Sequence, residues 1–151
     1  KIIPIKKIIG IDTFIPEQLK NRLKKRCDNK LILIQEDSTS ETLIEKLKKT
    51  LKNYKSFYIH LDSNHTHEHV LKELNLYSQF LKKDNYIIAD DTIINQIPNQ
   101  SYRPRPWNKD ANPMTAVNEF LKNNKNFKID HELNYNHLIS SSPGGYIFRS
   151  K

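Results

Sequence analysis

The stretch Tyr58-Ile-His-Leu-Asp-Ser-Asn-His-Thr-His-Glu-His-Val70, followed further on by Tyr86-Ile-Ile-Ala-Asp-Asp-Thr92, decides how the chain folds. An apolar run from Phe57 to Leu61 ends in Asp62, a helix-like segment spans His65 to Leu81, and a second apolar run from Asn85 to Ala89 ends in Asp90. Apolar runs of strand length on either side of a helix-length segment predict a strand, helix, strand unit. In open parallel sheets, ligands bind beyond the carboxyl ends of the strands. Adjacent parallel strands would bring Asp62, Asp90 and Asp91 together at that end. Three carboxylates offer oxygen ligands that suit magnesium or calcium better than zinc or copper.

The histidines support a second reading. His65, His67 and His69 alternate, and His65 and His69 are spaced i, i+4, so on a helix they would share a face and could join Asp62 around iron or zinc. A structural reading stands beside both: Asp62 or Ser63 caps the helix, Glu68 complements its positive end, and the histidines are ordinary first-turn residues. Spacing alone leaves all three open.

Outward from this unit the alternation continues. Lys7 to Asp12 reads as a strand, Pro16 to Arg26 as a helix, Leu31 to Gln35 as a strand, and Ser40 to Leu51 as a helix with apolar positions at Leu43, Ile44, Leu47 and Leu51. Repeated alternation predicts an α/β fold with a parallel sheet covered on both sides. After Asp91 the pattern breaks into a long connection, Thr92 to Ala111, that carries Pro98, Pro104, Pro106, Arg103, Arg105 and Trp107. Long connections inside compact domains are usually functional or disordered, and this one reads as a lid over the acidic end of the sheet. Asn112-Pro-Met opens a helix that runs to Asn124, with Asn112 as its cap. Phe127 to Asp130 and Leu138 to Ser141 read as strands, and Pro143-Gly-Gly145 as a tight turn into Tyr146 to Arg149. The expected sheet is therefore mostly parallel, with a C-terminal antiparallel hairpin.

Composition bounds the rest. The 151 residues suffice for a single domain with a substantial core. The one cysteine, Cys27, cannot form an internal disulfide, and no apolar stretch reaches membrane-spanning length, so a cytoplasmic setting is the default. Net charge is +8 and the pI about 9.5, but the basic residues are mostly lysines along helical segments such as Lys20 to Arg26 and Lys46 to Lys52. Bidentate recognition of bases and phosphates favours arginine, so the lysines read as solvated helix faces and no nucleic-acid partner is expected.

The order Gly10-Ile-Asp12, Asp62-Ser-Asn-His-Thr-His-Glu-His-Val70, Ala89-Asp-Asp-Thr92, Pro113-Met-Thr-Ala-Val-Asn-Glu-Phe-Leu121 and Ser142-Pro-Gly-Gly-Tyr-Ile147 resembles the family of cephalosporin hydroxylases and rhamnosyl O-methyltransferases. The resemblance runs over nearly the whole chain, and Asp62 to Val70 is its most specific part. It implies the Rossmann-like class I methyltransferase fold, S-adenosylmethionine as cofactor, and a divalent cation, usually magnesium, held by Asp62, Asp90 and Asp91. The family's acidic pair is usually Glu-Asp, so Asp90 is one methylene shorter. Asp12 matches the acid aimed at the cofactor ribose, and the Glu36-Asp37-Ser38 turn matches the adenine edge, with Asp37 and Ser38 as cofactor contacts and Glu36 where the family has glycine. The cofactor's glycine-rich turn is not among Gly10, Gly144 and Gly145; in the family it lies on a first strand and helix upstream of the position of Lys1. By this resemblance the sequence reads as an excerpt of a longer protein, lacking the strand that is central in this fold.

The activity implied is magnesium-assisted methyl transfer to a hydroxyl of a sugar or glycosylated small molecule. His65 or His67 would collect the proton. The partners expected are that acceptor and, in a homo-oligomer, further copies of the chain. Two alternatives remain: an iron-dependent oxygenase using the alternating histidines, and a non-catalytic remnant that keeps the fold without the cofactor.

Overall fold

A computed structural model describes residues 5–99, 101–137 and 139–151. The chain divides into two compact units, Lys1–Lys46 and Leu47–Lys151. In the first, β1 (Ile8–Asp12) lies parallel to β2 (Leu31–Gln35), in register from Ile8 opposite Leu31 to Asp12 opposite Gln35. β1 carries three isoleucines and β2 two isoleucines and two leucines, and isoleucine in particular suits a pleated surface. Between them runs α1 (Glu17–Cys27), which carries Glu17 in its first turn and Lys24, Lys25 and Arg26 in its last, charges that complement the helix dipole. Parallel strands need such a crossover. A further helix, α2 (Glu41–Leu51), buries Leu43, Ile44 and Leu47, the apolar face that its sequence predicts.

The second unit is built on four strands in the order β3 (Tyr58–Leu61), β4 (Tyr86–Ala89), β6 (Tyr146–Arg149), β5 (Phe127–Ile129). β3 and β4 are parallel, while β6 pairs antiparallel with both β4 and β5, so β6 alone runs against the other three. The crossover from β3 to β4 is α3 (His67–Ser78), which packs against α4 (Pro113–Asn123). Val70, Leu74 and Tyr77 of α3, Ala116, Val117 and Phe120 of α4, and Ile87, Phe127 and Ile147 of the strands are buried. Each large side chain among them contributes about 1.5–3 kcal/mol by leaving water. A short helix, α5 (His131–Asn136), follows β5 and is capped by Asp130, whose carboxylate accepts from the Leu133 amide at 2.8 Å.

The expected alternation and the single reversed strand are present, and the α/β class holds. The described residues form two sheets, and β1 and β3 belong to different ones, in keeping with the expectation of a sheet that lacks the strand between them. A strand at Leu138 to Ser141 is not formed: Leu138 lies outside the described residues, and residues 139–141 are irregular. The hairpin partner expected there is replaced by β5, which comes earlier in the chain. The reason is local chemistry, since the Ser140 and Ser141 hydroxyls bond to the Ser142 amide and the Asp90 carboxylate instead of standing on a pleated face. The Pro143-Gly-Gly turn is present. Gly144 has φ +79°, and a Cβ on Gly145 would stand 2.1 Å from the Ala89 carbonyl oxygen.

Candidate active site

The second unit gathers its acids where the sequence placed them, at the carboxyl ends of β3 and β4. Asp90 follows β4 directly, and Asp91 turns the chain in the left-handed region at φ 53° before a short 3-10 segment, Thr92–Gln96. Aspartate tolerates that conformation better than most residues, although it remains a strained choice. The left-handed turn sits beside His65. Its Nδ1 lies 3.2 Å from Asp91 Oδ2 and its Nε2 3.3 Å from Asp62 Oδ1. His65 therefore bridges the two strand ends. Its side chain is only 15% exposed, against 60% for Asp62 and 39% for Asp91, so the ring is the sheltered member of the three.

Asp90 is engaged elsewhere. Its Oδ1 accepts from the Ser141 hydroxyl at 2.6 Å, from the Ser142 hydroxyl and from the Asp91 amide at 2.9 Å, while Oδ2 lies 3.3 Å from His60 Nε2. Burial pushes its pKa up, but the two serine hydroxyls, the Asp91 amide and His60 together outweigh that and hold it at about 2. The serines reach Asp90 because the turn at 141–145 is laid along the end of β4. Gly145 accepts from the Ala89 amide, Ser141 from the Ile93 amide, and Pro143 from the Thr92 hydroxyl.

Among the described residues no group of three or more His, Cys, Asp or Glu side chains is arranged to hold a metal ion. The expected set of Asp62, Asp90 and Asp91 is brought to one end of the sheet without converging on a point. Asp90 has both oxygens committed, and the His65 ring lies between the other two. The histidine set around iron does not form either. His65 precedes α3 instead of sharing its face with His69, and His69 Nε2 meets Glu73 Oε1 at 3.4 Å. His67 is tied to α4, with Nδ1 2.8 Å from Thr115 Oγ1 and Nε2 3.2 Å from Glu119 Oε2.

The connection after Asp91 does reach the site. Trp107 meets His65 edge to face, with ring centroids 5.1 Å apart, and the Arg105 guanidinium stands 5.2 Å over the Trp107 ring. Asn112 anchors this segment: its amide nitrogen donates to the Asn108 and Lys109 carbonyls while its Oδ1 caps α4 by accepting from Met114 and Thr115. Asn112 is fully buried, as a satisfied polar side chain can be.

In the first unit, Asp12 and the Glu36-Asp37-Ser38 turn follow the parallel ends of β1 and β2. Asp12 is exposed, and its Oδ1 accepts from the Phe14 amide at 3.0 Å. Asp37 Oδ1 accepts from the Thr39 amide and hydroxyl at 2.7 and 2.8 Å, so that carboxylate orders its own turn. Glu36 bonds to Lys46 and to the Ser40 hydroxyl, and these bonds, the Lys46 one foremost, lower its pKa.

Four participants were not read from the sequence. Ser141, Ser142 and His60 hold Asp90, and buried Glu73 receives the Ser63 hydroxyl at 2.8 Å. The run Ser140-Ser-Ser142 before Pro143 was the available signal for two of them.

A family model described as Rhamnosyl O-methyltransferase/CmcI matches residues 1–150. Rhamnosyl O-methyltransferases of Mycobacterium tuberculosis (strain ATCC 25618 / H37Rv) and Mycobacterium bovis (strain BCG / Pasteur 1173P2) are 26% identical over 130 residues, which cover 84% of this chain and 50% of each relative. The chain thus spans about half the length of the curated relatives it matches. No solved structure matches it.

Proposed function

The chain belongs to the Rhamnosyl O-methyltransferase/CmcI family, and from that premise we propose that it forms part of an S-adenosylmethionine-dependent O-methyltransferase acting on a sugar hydroxyl. The observation that carries the reading beyond the family is the His65 imidazole held between Asp62 and Asp91 at the carboxyl ends of β3 and β4. S-adenosylmethionine supplies an electrophilic methyl group when bound. Asp12 fits its ribose: one carboxylate oxygen is fixed by the Phe14 amide, and the exposed side chain leaves the other for an external hydroxyl.

Acceptor chemistry needs a group that takes the hydroxyl proton as the new C–O bond forms. In this reading the neutral ring keeps its proton on Nδ1, donated to Asp91, and the acceptor hydroxyl displaces the exposed Asp62 carboxylate to donate to unprotonated Nε2, which takes the proton as the methyl group passes from the sulfonium sulfur to the hydroxyl oxygen and leaves a neutral thioether. Trp107 shields the ring from water, and Asp90 braces the turn that precedes β6 by way of Ser141 and Ser142. His67, bound on both nitrogens to α4, positions α3 against α4. Magnesium is the part of the family expectation that these side chains do not fit as arranged, since admitting a cation would require Asp90 to release its serines and His65 to leave its carboxylates. No step is assigned to it.

The test is transfer of a labelled methyl group from S-adenosylmethionine to a panel of neutral and acidic sugars, a rhamnoside and glucuronate among them. Label in the sugar is expected, and Asp12→Ala is expected to weaken cofactor binding by about tenfold, the effect of one hydrogen bond to a charged group. Release of label only to water, or none at all, would remove the proposal.

A further inference from the structure

Between Ile94 and Asn108 the connection folds into an open groove of about 330 Å3, lined by Asn99, Arg103, Arg105, Trp107 and Asn108 among others. Ligand sites commonly enclose about 300–1,000 Å3, so this one suits a single sugar ring better than an extended chain. Its two charged lining residues, Arg103 and Arg105, are both cationic. Neither is in an ion pair among the described residues, and arginine presents a planar fork matched to carboxylate and phosphate oxygens. Trp107 joins the groove to the site, because it lines the groove and also meets His65.

We propose that this groove binds the acceptor and that the acceptor is a sugar carrying an anionic group, a carboxylate or a phosphate, gripped by Arg103 and Arg105. The inference rests on the methyl-transfer reading for its word "acceptor". Binding of an acidic sugar would stand without it. Asn99 and Asn108 offer amides to ring hydroxyls, although Asn99 Oδ1 already accepts from the Lys109 amide and Asn108 Oδ1 from the Asp110 and Ala111 amides. With those oxygens engaged, their side-chain nitrogens would be the donors to ring hydroxyls. Arg105, stacked on Trp107, holds the charged group near the ring that meets His65.

Trp107 is the only tryptophan of the chain, so its fluorescence reads this groove alone. Glucuronate, glucose 6-phosphate, glucose and inorganic phosphate are titrated separately into the protein. Saturable changes with glucuronate or glucose 6-phosphate are expected, whichever of the two is bound naming the anion. Glucose is expected to bind at least about tenfold more weakly, and Arg103→Gln and Arg105→Gln each to weaken the acidic sugar by about tenfold with an unchanged circular dichroism spectrum. Equal binding of glucose would overturn the anionic assignment, and inorganic phosphate binding as tightly as glucose 6-phosphate would overturn the sugar. No change with any of the four would overturn the site. Because no methyl donor is present, methyl transfer to neutral sugars without acidic-sugar binding defeats this inference alone, and acidic-sugar binding without methyl transfer defeats only the proposed activity.

Discussion

Among single residues, Asp90 is a carboxylate whose oxygens are all taken up by its own surroundings. It is held ionised by two serine hydroxyls, one amide and His60, with its pKa down at about 2. A carboxyl whose folded pKa lies below its unfolded value contributes stability that is fully present above the unfolded value, near 4, and is lost as pH falls through the folded one. The contribution is on the order of 2 kcal/mol. Urea unfolding of the wild type is expected to lose that much relative to Asp90→Asn between about pH 4 and pH 2. Equal slopes for the two proteins would mean that Asp90 is not held as described. His65 and His67 diverge for a similar reason. Two residues apart in sequence, one faces Asp62 and Asp91, while the other is bound to Thr115 and Glu119.

Among the elements, the turn between residues 141 and 145 decides whether the end of β4 is shaped at all. Gly145 passes against the Ala89 carbonyl so closely that a methyl group has no room, and the contact is with backbone that cannot swing aside. Gly145→Ala is expected to cost about 1–3 kcal/mol, the range of an overpacked core, read as a lower melting temperature. A melting temperature equal to that of the wild type would show that the turn is not laid along β4. The strands and most helices here were legible because their signals are local: β-branched runs, apolar spacing on α2, and an asparagine before proline at the start of α4. The site was legible only in part. Asp62 and Asp91 could be placed from the rule that ligands sit at strand ends, whereas His67 meets partners 48 and 52 residues away, and Asp90 meets Ser141 and Ser142 51 and 52 residues away. Such pairings depend on tertiary packing, which no local pattern encodes. α5 was missed because its six residues are too few for a periodic signal, and only its cap, Asp130, marked it.

For the molecule as a whole, the match over residues 1–150 gives the family, and the proposed proton transfer rests on the arrangement at the ends of β3 and β4. Among the described residues no helix is long and apolar enough to cross a membrane. Whether His65, and not His67, takes the proton during methyl transfer is tested by comparing methyl-transfer rates of His65→Gln and His67→Gln at saturating S-adenosylmethionine. Loss of a positioned base slows a reaction by about a hundredfold or more. His65→Gln is expected to fall by at least that factor with an unchanged melting temperature, and His67→Gln to keep its rate within a few fold, as roughly befits a residue outside the reacting groups, while melting earlier. A His65→Gln protein that transfers methyl groups at the wild-type rate, or a His67→Gln protein that alone loses the reaction, would show that His65 is not the base.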